Sequence, residues 1–324
     1  MQYRSSQALR DLLLTSTAVV AALSAGSSPA WAQLSAPQVK AGQATVSMPS
    51  ANKTVITQST SKAILEWNAF SIPSGSSVQF VQPGSGSIAL NRVTGVSVTS
   101  IQGALSANGQ VWIVNPNGVF FGPGAQVNVA GLIATTADIQ NNDFLSGNYK
   151  FGIGSTKPNA SVVNQGTIQA SAGGAVLAGS HVTNEGLIVA SMGTIALGAG
   201  KSFAVDFQGD KLIQFQVTSP VDQTPTNPDG SPAKALVENS GTLSAQGGTV
   251  LLTARAAKNV IDNVINSTGI VEAKSAQLVN GEIVLDGGDT GAVTVSGLLD
   301  ASGKSAGQSG GTVKVLGNQV SLAA

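Results

Sequence analysis

The residues that could do chemistry are few and spread along the chain. Asp286, Asp289 and Asp300 form the densest acidic group, with Glu282 close by in sequence. Glycoside hydrolysis needs two carboxyl groups held about 5 to 10 Å apart across a sugar bond, so a carbohydrate-active enzyme is one class to weigh. Residues 287–291, Gly-Gly-Asp-Thr-Gly, resemble one calcium-binding repeat but lack the iterated nonapeptide. We interpret these acids as solvated corner residues and infer neither an active site nor a metal site.

Motifs for nucleophilic and phosphate chemistry are incomplete. Residues 307–311 match G-x-S-x-G, but a nucleophile elbow needs a strand before it, a helix after it and a histidine later in the chain. The only histidine, His181, lies upstream and inside a repeat. Gly-Lys-Ser at 200–202 ends like a phosphate loop, yet Ile195 stands where the first glycine belongs. We therefore expect no enzyme and no bound cofactor.

The composition favours a stack of short strands. Aromatic residues make up 4% of the 324 residues and charged residues 10%, while glycine occurs 39 times. That mixture disfavours both a disordered polyampholyte and a large globular enzyme. The formal net charge is zero and no basic cluster occurs, so nothing predicts nucleic-acid binding. Because cysteine is absent, packing and backbone hydrogen bonds must hold the fold together without disulfides.

Residues 1–32 are predicted to be a signal peptide. Two arginines precede the apolar run Leu12–Leu23, and Ala30–Ala32 reads Ala-Trp-Ala, which fits the small-x-small pattern of signal peptidase. The apolar run is too short to cross a bilayer as a mature helix. We predict cleavage before Gln33 and no integral membrane segment in the mature chain.

Residues 33–140 read as an N-terminal cap and the first coils of a solenoid. Strand-length runs bounded by Gly, Pro, Ser and Asn predict β-structure. These runs are Thr54–Thr57, Ala63–Trp67, Ser77–Val81 and Ser87–Leu90. Trp67, Phe70 and Phe80 are interpreted as cap side chains that seal the open end.

The stretch Asn115–Gly118, Asn-Pro-Asn-Gly, separates the apolar runs Val111–Val114 and Val119–Phe121. Proline presets φ at the second position of a turn, asparagine tolerates the third, and glycine closes the turn without steric cost. The local prediction is a strand, a tight turn and a second strand.

Residues 141–324 read as β-helix repeats. Copies of one pattern begin at Val162, Val182, Val237, Val264 and Val293, each with short strands and glycine corners, as expected for one coil of a β-helix. Asn164, Asn184 and Asn239 occupy the same position in successive copies, so we expect a structural ladder of side-chain amides along the axis.

An insertion at about 201–235 interrupts the repeats. Phe203, Val205 and Phe207 alternate with polar residues, as do Ile213, Phe215 and Val217, and 208–211 predicts the turn of a β-hairpin outside the helix. The hairpin either covers one side of the solenoid or binds a receptor. In Ala254–Ile265, helical spacing competes with strand spacing, so a short helix or a kinked corner is expected there.

A wider match covers Ile64–Ile139. The segments AILEWNAFSI, VQFVQP, IALNRVTG, ANGQVWIVNPNG and GAQVNVAGLIATTADI occur in that order. This text resembles the secretion domain of two-partner-secretion exoproteins, the N-terminal haemagglutination-activity domain of the filamentous haemagglutinin family. The resemblance implies an all-β fold, a right-handed single-stranded parallel β-helix with an N-terminal cap. Asn115–Gly118 match the family's secretion signature, and Asn91 and Arg92 match a second frequent element. The family's other Asn-Pro-Asn motif is absent, which places the chain nearer the high-molecular-weight adhesin branch.

The resemblance also implies a route and a partner. Such domains cross the periplasm of a Gram-negative bacterium unfolded, are recognised by the periplasmic POTRA-type domains of an outer-membrane β-barrel transporter, and fold as they emerge at the cell surface or outside the cell. We favour an adhesin-type passenger that binds a receptor or glycan on a host or neighbouring cell, with a role in adhesion and virulence. The alternatives are a cytolysin, a contact-dependent toxin or a haem-scavenging cargo, and then a β-helix carbohydrate-active enzyme. The sequence stops at Ala324 within a repeat-like strand, so we expect either a fragment or a short product.

Overall fold

The computed structural model describes residues 34, 36–157, 160–171, 173–207, 213–227, 231–276, 279–303 and 307–323. The predicted signal peptide, residues 1–32, lies outside the described residues, as does the predicted cleavage point at Gln33. The chain divides into units 1–30 and 31–324, and the elements described below belong to the second unit.

The described residues form short strands and one short helix. In chain order, the strands are β1 Gln38–Ala41, β2 Ala44–Ser50, β3 Lys53–Gln58, β4 Lys62–Trp67, β5 Ser77–Val81, β6 Ile88–Val93, β7 Thr99–Ile101, β8 Ala104–Ala107, β9 Gln110–Val114, β10 Val119–Phe121, β11 Gln126–Val129 and β12 Gly131–Thr135. Helix α1 Asn141–Ser146 follows, then β13 Lys150–Phe151, β14 Val162–Asn164, β15 Thr167–Ala170, β16 Ala175–Gly179, β17 Val182–Asn184, β18 Leu187–Val189, β19 Thr194–Ala199, β20 Ser202–Phe207 and β21 Ile213–Ser219. The last strands are β22 Val237–Asn239, β23 Thr242–Ser244, β24 Thr249–Ala254, β25 Asn263–Ser267, β26 Ile270–Glu272, β27 Glu282–Asp286, β28 Ala292–Val295, β29 Leu298–Asp300, β30 Thr312–Leu316 and β31 Gln319–Leu322.

These strands form a parallel β-helix with three faces. Sheet A has the order β1-β4-β6-β9-β12-β16-β19-β24-β27-β30, sheet B the order β2-β3-β5-β8-β11-β15-β18-β23-β26-β29, and sheet C the order β31-β28-β25-β22-β17-β14-β10-β7. Each full coil runs from sheet B to sheet A to sheet C, and each strand pairs in parallel with its equivalent in the next coil. The predicted all-β solenoid fold is therefore confirmed.

Two antiparallel strands form the N-terminal cap. Strand β1 pairs with β4 and β2 pairs with β3, both antiparallel, so the first coil does not present bare edges. Trp67, Phe70 and Phe80 are buried among the core residues of the first coils, and the rings of Trp67 and Phe70 meet edge to face at 5.2 Å. The cap therefore closes the end of the β-helix through the backbone pairing of β1 and β2, and the side chains of Trp67, Phe70 and Phe80 fill the interior of the first coils.

From β9 to β19, sheet A is apolar on both faces, and a second core covers its outer side there. In β9, Val111 and Ile113 belong to the core inside the helix, whereas Trp112 belongs to the outer core. Strands buried on both faces read as continuous apolar runs, which accounts for the segments in β9, β12 and β16. The outer core is closed by Phe144 of α1, Phe151 of β13, and Phe203 and Phe215 of the β20–β21 hairpin.

The predicted hairpin is present and covers the outer side of sheet A of the β-helix. Strands β20 and β21 are antiparallel with Val205 opposite Phe215, and β13 joins them by pairing with β20. The predicted turn at 208–211 lies outside the described residues. A receptor-binding role for the hairpin stays untested.

Two local predictions need correction. The repeats predicted for 141–324 do not begin at 141, because the chain first forms helix α1, whose one buried residue is Phe144. Between Ala254 and Asn263 the chain makes an irregular corner with Asn259 at φ 65°, so the helical alternative for this segment is wrong and the kinked corner is right.

Candidate functional site

The Asn-Pro-Asn-Gly stretch forms the corner between sheets A and C. Gly118 N donates a hydrogen bond to Asn115 O at 3.0 Å, which closes a tight turn between β9 and β10. Gly118 has φ 119°, and a Cβ there would lie 3.1 Å from Ser161 O. The predicted strand, turn and strand are present, and glycine is favoured because other residues rarely adopt this positive φ and because a Cβ would crowd Ser161 O.

Asn115 holds the corner to the preceding coil. Its side chain is fully buried, and Nδ2 donates hydrogen bonds of 3.0 Å to Ser97 O and to Thr99 Oγ1. Its Oδ1 accepts hydrogen bonds from the backbone N of Asn117 at 2.9 Å and from Asn117 Nδ2 at 2.8 Å. The amide of Asn115 therefore fixes the turn and anchors it at once.

Asn117 and Pro116 are covered by a later segment. Asn117 is 8% exposed, and its Nδ2 donates to Gly95 O at 2.9 Å. Lys157 Nζ donates to Asn117 Oδ1, and Ser155 Oγ donates to Pro116 O at 2.6 Å. In the folded domain both motif amides are thus engaged and withdrawn from solvent. Ser155 and Lys157 were not predicted as partners of the motif, because they lie in a polar segment without any repeat pattern.

Asn91 is an interior residue of β6. Its Oδ1 accepts a hydrogen bond from Trp67 Nε1 at 3.0 Å, and its Nδ2 donates to Ala89 O at 3.1 Å and Trp112 O at 3.3 Å. Asn91 thereby satisfies the indole N–H of a buried tryptophan, which would otherwise be costly to bury.

Arg92 points to the outer side of sheet A and binds the segment 138–141, which leads into α1. Its guanidinium donates from Nε to Asp138 Oδ1 at 2.9 Å, from Nη1 to Asn141 Oδ1 at 2.7 Å and from Nη2 to Ile139 O at 2.6 Å. Glu66 adds a longer ion pair at 3.4 Å. A planar fork of donors suits this convergent set of oxygens better than a lysine would. The geometry gives Arg92 a structural task in the folded state.

The three ladder asparagines lie one above another in β14, β17 and β22. Asn164 Nδ2 donates to Asn184 Oδ1 at 2.8 Å, and Asn184 Nδ2 donates to Asn239 Oδ1 at 2.8 Å. Asn239 Nδ2 lies 3.5 Å from Ser267 Oγ in the next coil. The three side chains are buried, and the row runs along the helix axis at one corner.

Asp286 and Asp300, considered above as catalytic acids, lie on different faces of the β-helix, and each is paired with a cation. Asp286, at the end of β27 in sheet A, lies 2.6 Å from Arg255. Asp300, in β29 of sheet B, lies 3.4 Å from Lys274, and hydrogen bonds from Ser302 lower the pKa of Asp300 to about 2. Among the described residues no group of three or more His, Asp or Glu side chains could hold a metal ion.

In the part of the chain that the structure describes, the serine motif lacks the helix it would need, and no helix could span a membrane. The strand β30 follows residues 307–311 directly, where a nucleophile elbow would need a helix. No helix in this part of the chain is long and apolar enough to span a bilayer.

The three parallel sheets and the antiparallel cap define a capped parallel β-helix, which is an all-β solenoid. A second core covers part of its outer surface, on sheet A. The model of the TPS secretion domain, where TPS stands for two-partner secretion, matches residues 33–315, and the chain belongs to this family. The resemblance seen in the sequence is therefore confirmed.

Curated relatives and a solved structure agree with this assignment. The chain is 34% identical over 274 residues to a heme/hemopexin-binding protein of Haemophilus influenzae strain Rd, covering 82% of this chain and 28% of the relative. A second Haemophilus influenzae heme/hemopexin-binding protein is 31% identical over 256 residues, covering 75% of this chain and 27% of the relative. The chain thus spans less than a third of the length of these relatives. The crystal structure of the HMW1 secretion domain from Haemophilus influenzae matches with a TM-score of 0.58 and 24% identity, over 90% of this chain and 100% of that chain.

Membership in the family fixes the general role. A two-partner secretion domain directs an exoprotein out of the cell, to the surface or the medium, and its partner is an outer-membrane transporter. Enzymatic activity is not part of what defines this family.

Proposed function

We propose that this chain is the export-directing part of an adhesin-type passenger, and that its signal peptide at 1–32 delivers it unfolded to the periplasm. There the POTRA-type domains of the outer-membrane transporter recognise a secretion motif made of Asn115–Gly118 with Asn91 and Arg92. The chain then folds outside the cell into the β-helix. Residues 33–140 supply the cap and first coils, and 141–324 supply the later repeats.

One observation carries the proposal about the order of events. Asn115 is fully buried and Asn117 is 8% exposed, and both side-chain amides are engaged in hydrogen bonds. A transporter cannot read amides that the folded corner has already used. Recognition of this motif therefore has to precede folding, which supports a transporter that receives an unfolded chain.

A physical route for that recognition is strand addition. The cap and first coils consist of short strands whose edges are unpaired while the chain is unfolded, and such edges can pair with a sheet in a partner protein. Folding coil on coil outside the membrane then buries the same edges and makes return into the transporter unfavourable.

A second cargo class is favoured by the relatives. Both curated relatives are named heme/hemopexin-binding proteins, so a haem-scavenging passenger is the alternative to an adhesin. The two are distinguished by assaying the natural full-length product for adherence to host cells and for hemin binding. Hemin binding without adherence would replace the adhesin assignment and leave the export role intact.

The export role is tested with the double variant Asn115→Ala, Asn117→Ala, co-expressed with the cognate transporter. We expect the variant to be lost from the medium and to accumulate or be degraded in the periplasm. The control is Asn128→Ala, because Asn128 is exposed on the outer face of sheet B. Export of the double variant at the wild-type level would remove the targeting role from the motif.

Loss of export alone could reflect a folding defect, so a second measurement separates the causes. The purified double variant is unfolded in urea and refolded without transporter, and its circular dichroism is compared with that of the wild-type chain. Normal refolding with failed export assigns the motif to recognition. Failed refolding together with normal periplasmic binding to the transporter would assign it to folding alone.

A further inference from the structure

The outer face of sheet C carries a cleft that the export role does not use. Phe120, Val163, Thr183 and Glu238 are register partners in β10, β14, β17 and β22. Their strand neighbours on both sides belong to the buried interior, so these four residues point outwards. Asn227 and Lys234, which precede β22, line the same cleft as this row of four residues. The cleft has a volume of about 510 Å³.

The polar end of the cleft contains the only histidine of the chain. His181 is 2% exposed, and its Nε2 lies 3.4 Å from Glu238 Oε1 and 3.3 Å from Thr183 Oγ1. Its Nδ1 is buried without a hydrogen-bond partner among the described residues. Buried polar atoms are nearly always paired, so a buried imidazole with one bare nitrogen needs a reason beyond packing. Orientation of Glu238 towards the cleft supplies such a reason.

Glu238 is a fixed anion at neutral pH. The hydrogen bond from His181 is the main influence that lowers the pKa of Glu238, while partial burial opposes it. Backbone N–H groups of Ala235 and Lys234 also lower this pKa by hydrogen bonding. A carboxylate held from behind in this way presents its remaining acceptor sites to the cleft in one direction, without the entropy cost of ordering on binding.

The cleft carries charged groups of both signs, two carboxylates and one ammonium. Glu185, which accepts a hydrogen bond from Gln165 Nε2 at 3.0 Å, and Glu238 are acceptors, whereas the Lys234 ammonium is a donor at the same cleft. An anionic ligand would meet two carboxylates, and a cationic ligand would meet the ammonium. A ligand that both donates and accepts hydrogen bonds and carries no net charge satisfies both sets of groups.

The opposite end of the cleft is apolar. Phe120 is half-buried and supplies most of the apolar surface, and the small exposed part of Val163, 8%, continues it beside the polar groups. A sugar ring has this division, because its C–H face is apolar and its rim carries hydroxyl groups. We infer that this cleft binds a neutral oligosaccharide, with a ring on Phe120 and Val163 and hydroxyl groups on Thr183 and Glu238.

The inference goes beyond export and rests on the proposed adhesin role only for its biological use. Binding is therefore measured on the purified, folded chain, without transporter or cells, so that a failure here is separate from a failure of export. The probes are neutral tri- to hexasaccharides of glucose, galactose, mannose and N-acetylglucosamine, with a sulfated oligosaccharide and a lysine-rich peptide as charged comparisons, screened by saturation-transfer NMR and titrated by calorimetry. We expect at least one to bind with a Kd of about 1 mM or tighter.

Variants locate the site. Phe120→Ala removes the apolar wall and Glu238→Gln removes the charged acceptor, and each should weaken binding about tenfold. Thermal unfolding is measured alongside, and Thr183→Val serves as a second polar variant if Glu238→Gln fails to fold. Gln169→Ala is the matched control, because Gln169 is exposed on sheet B, away from the cleft, and binding should be unchanged.

Three outcomes would overturn the inference. They are the absence of binding by every neutral oligosaccharide, unchanged affinity in both Phe120→Ala and Glu238→Gln, and binding only of a sulfated oligosaccharide or a lysine-rich peptide. The last outcome would show that the cleft selects charge.

Discussion

Asn184 lies in the middle of the asparagine ladder, so Asn184→Ala tests how much the ladder stabilises the stacked coils. Asn184 accepts a hydrogen bond from Asn164 at 2.8 Å and donates to Asn239 at 2.8 Å and to Gly186 O at 3.2 Å. At about 1 kcal/mol net for each buried hydrogen bond, the variant should lose about 3 kcal/mol of unfolding free energy. Asn239→Ala should cost about 1.5 kcal/mol, because Asn239 donates only over 3.5 Å to Ser267.

The assay is urea unfolding of the purified chain, followed by circular dichroism and tryptophan fluorescence. Stacked coils can unfold in segments, so hydrogen exchange read by mass spectrometry should locate the loss in β14, β17 and β22. The control Asn128→Ala alters an exposed asparagine and should change stability by no more than about 0.5 kcal/mol. Equal unfolding midpoints for Asn184→Ala and Asn128→Ala would refute the argument that buried amides hold the coils in register.

Two further predictions concern the outer core and the cleft. Phe203→Ala removes a ring stacked at 4.5 Å on Phe151 and 5.0 Å on Phe215, so it should cost about 3 kcal/mol and expose the β20–β21 hairpin to limited proteolysis; unchanged cleavage would contradict the covering role. Because the pKa of Glu238 is lowered from 4.5 in the folded state, its stabilising contribution is present above pH 4.5 and is lost as the pH falls below that value. Glu238→Gln should reduce the fall of the urea midpoint on acidification, and an identical pH profile in the variant would count against the His181 contact.

The parts of the fold that were predictable depend on local or periodic signals. Alternating β-branched runs predict β3 and β5, because side chains alternate between the interior and solvent in strands exposed on one face. The turn at Asn115–Gly118 was visible because its residue types meet the demands of each turn position. The asparagine ladder was predictable because Asn164 and Asn184 occupy equivalent positions in aligned repeats. In a parallel β-helix, equivalent positions of successive repeats stack at the same corner.

The parts that were missed depend on contacts distant in sequence. Helix α1 is polar apart from a few residues, and its position depends on Phe144 packing at 5.5 Å against Trp112. The run Val111–Val114 did contain a clue, because a strand that is apolar at consecutive positions is buried on both faces and requires a cover. Lys157 and Ser155 carry no such clue, since a single polar contact leaves no pattern in the surrounding sequence.

The same distant contacts bear on how an emerging chain can fold. Most backbone pairs join neighbouring coils, so folding can proceed coil by coil as the chain leaves the membrane. The Asn-Pro-Asn-Gly corner differs, because Asn117 bonds back to Gly95 and is covered by Lys157, 40 residues further on. Asn117 Oδ1 and Pro116 O therefore stay uncovered until the chain as far as Lys157 has emerged and folded. Under the proposed function, this side of the motif is free for the transporter during that interval, and its burial ends the interaction without a separate release step.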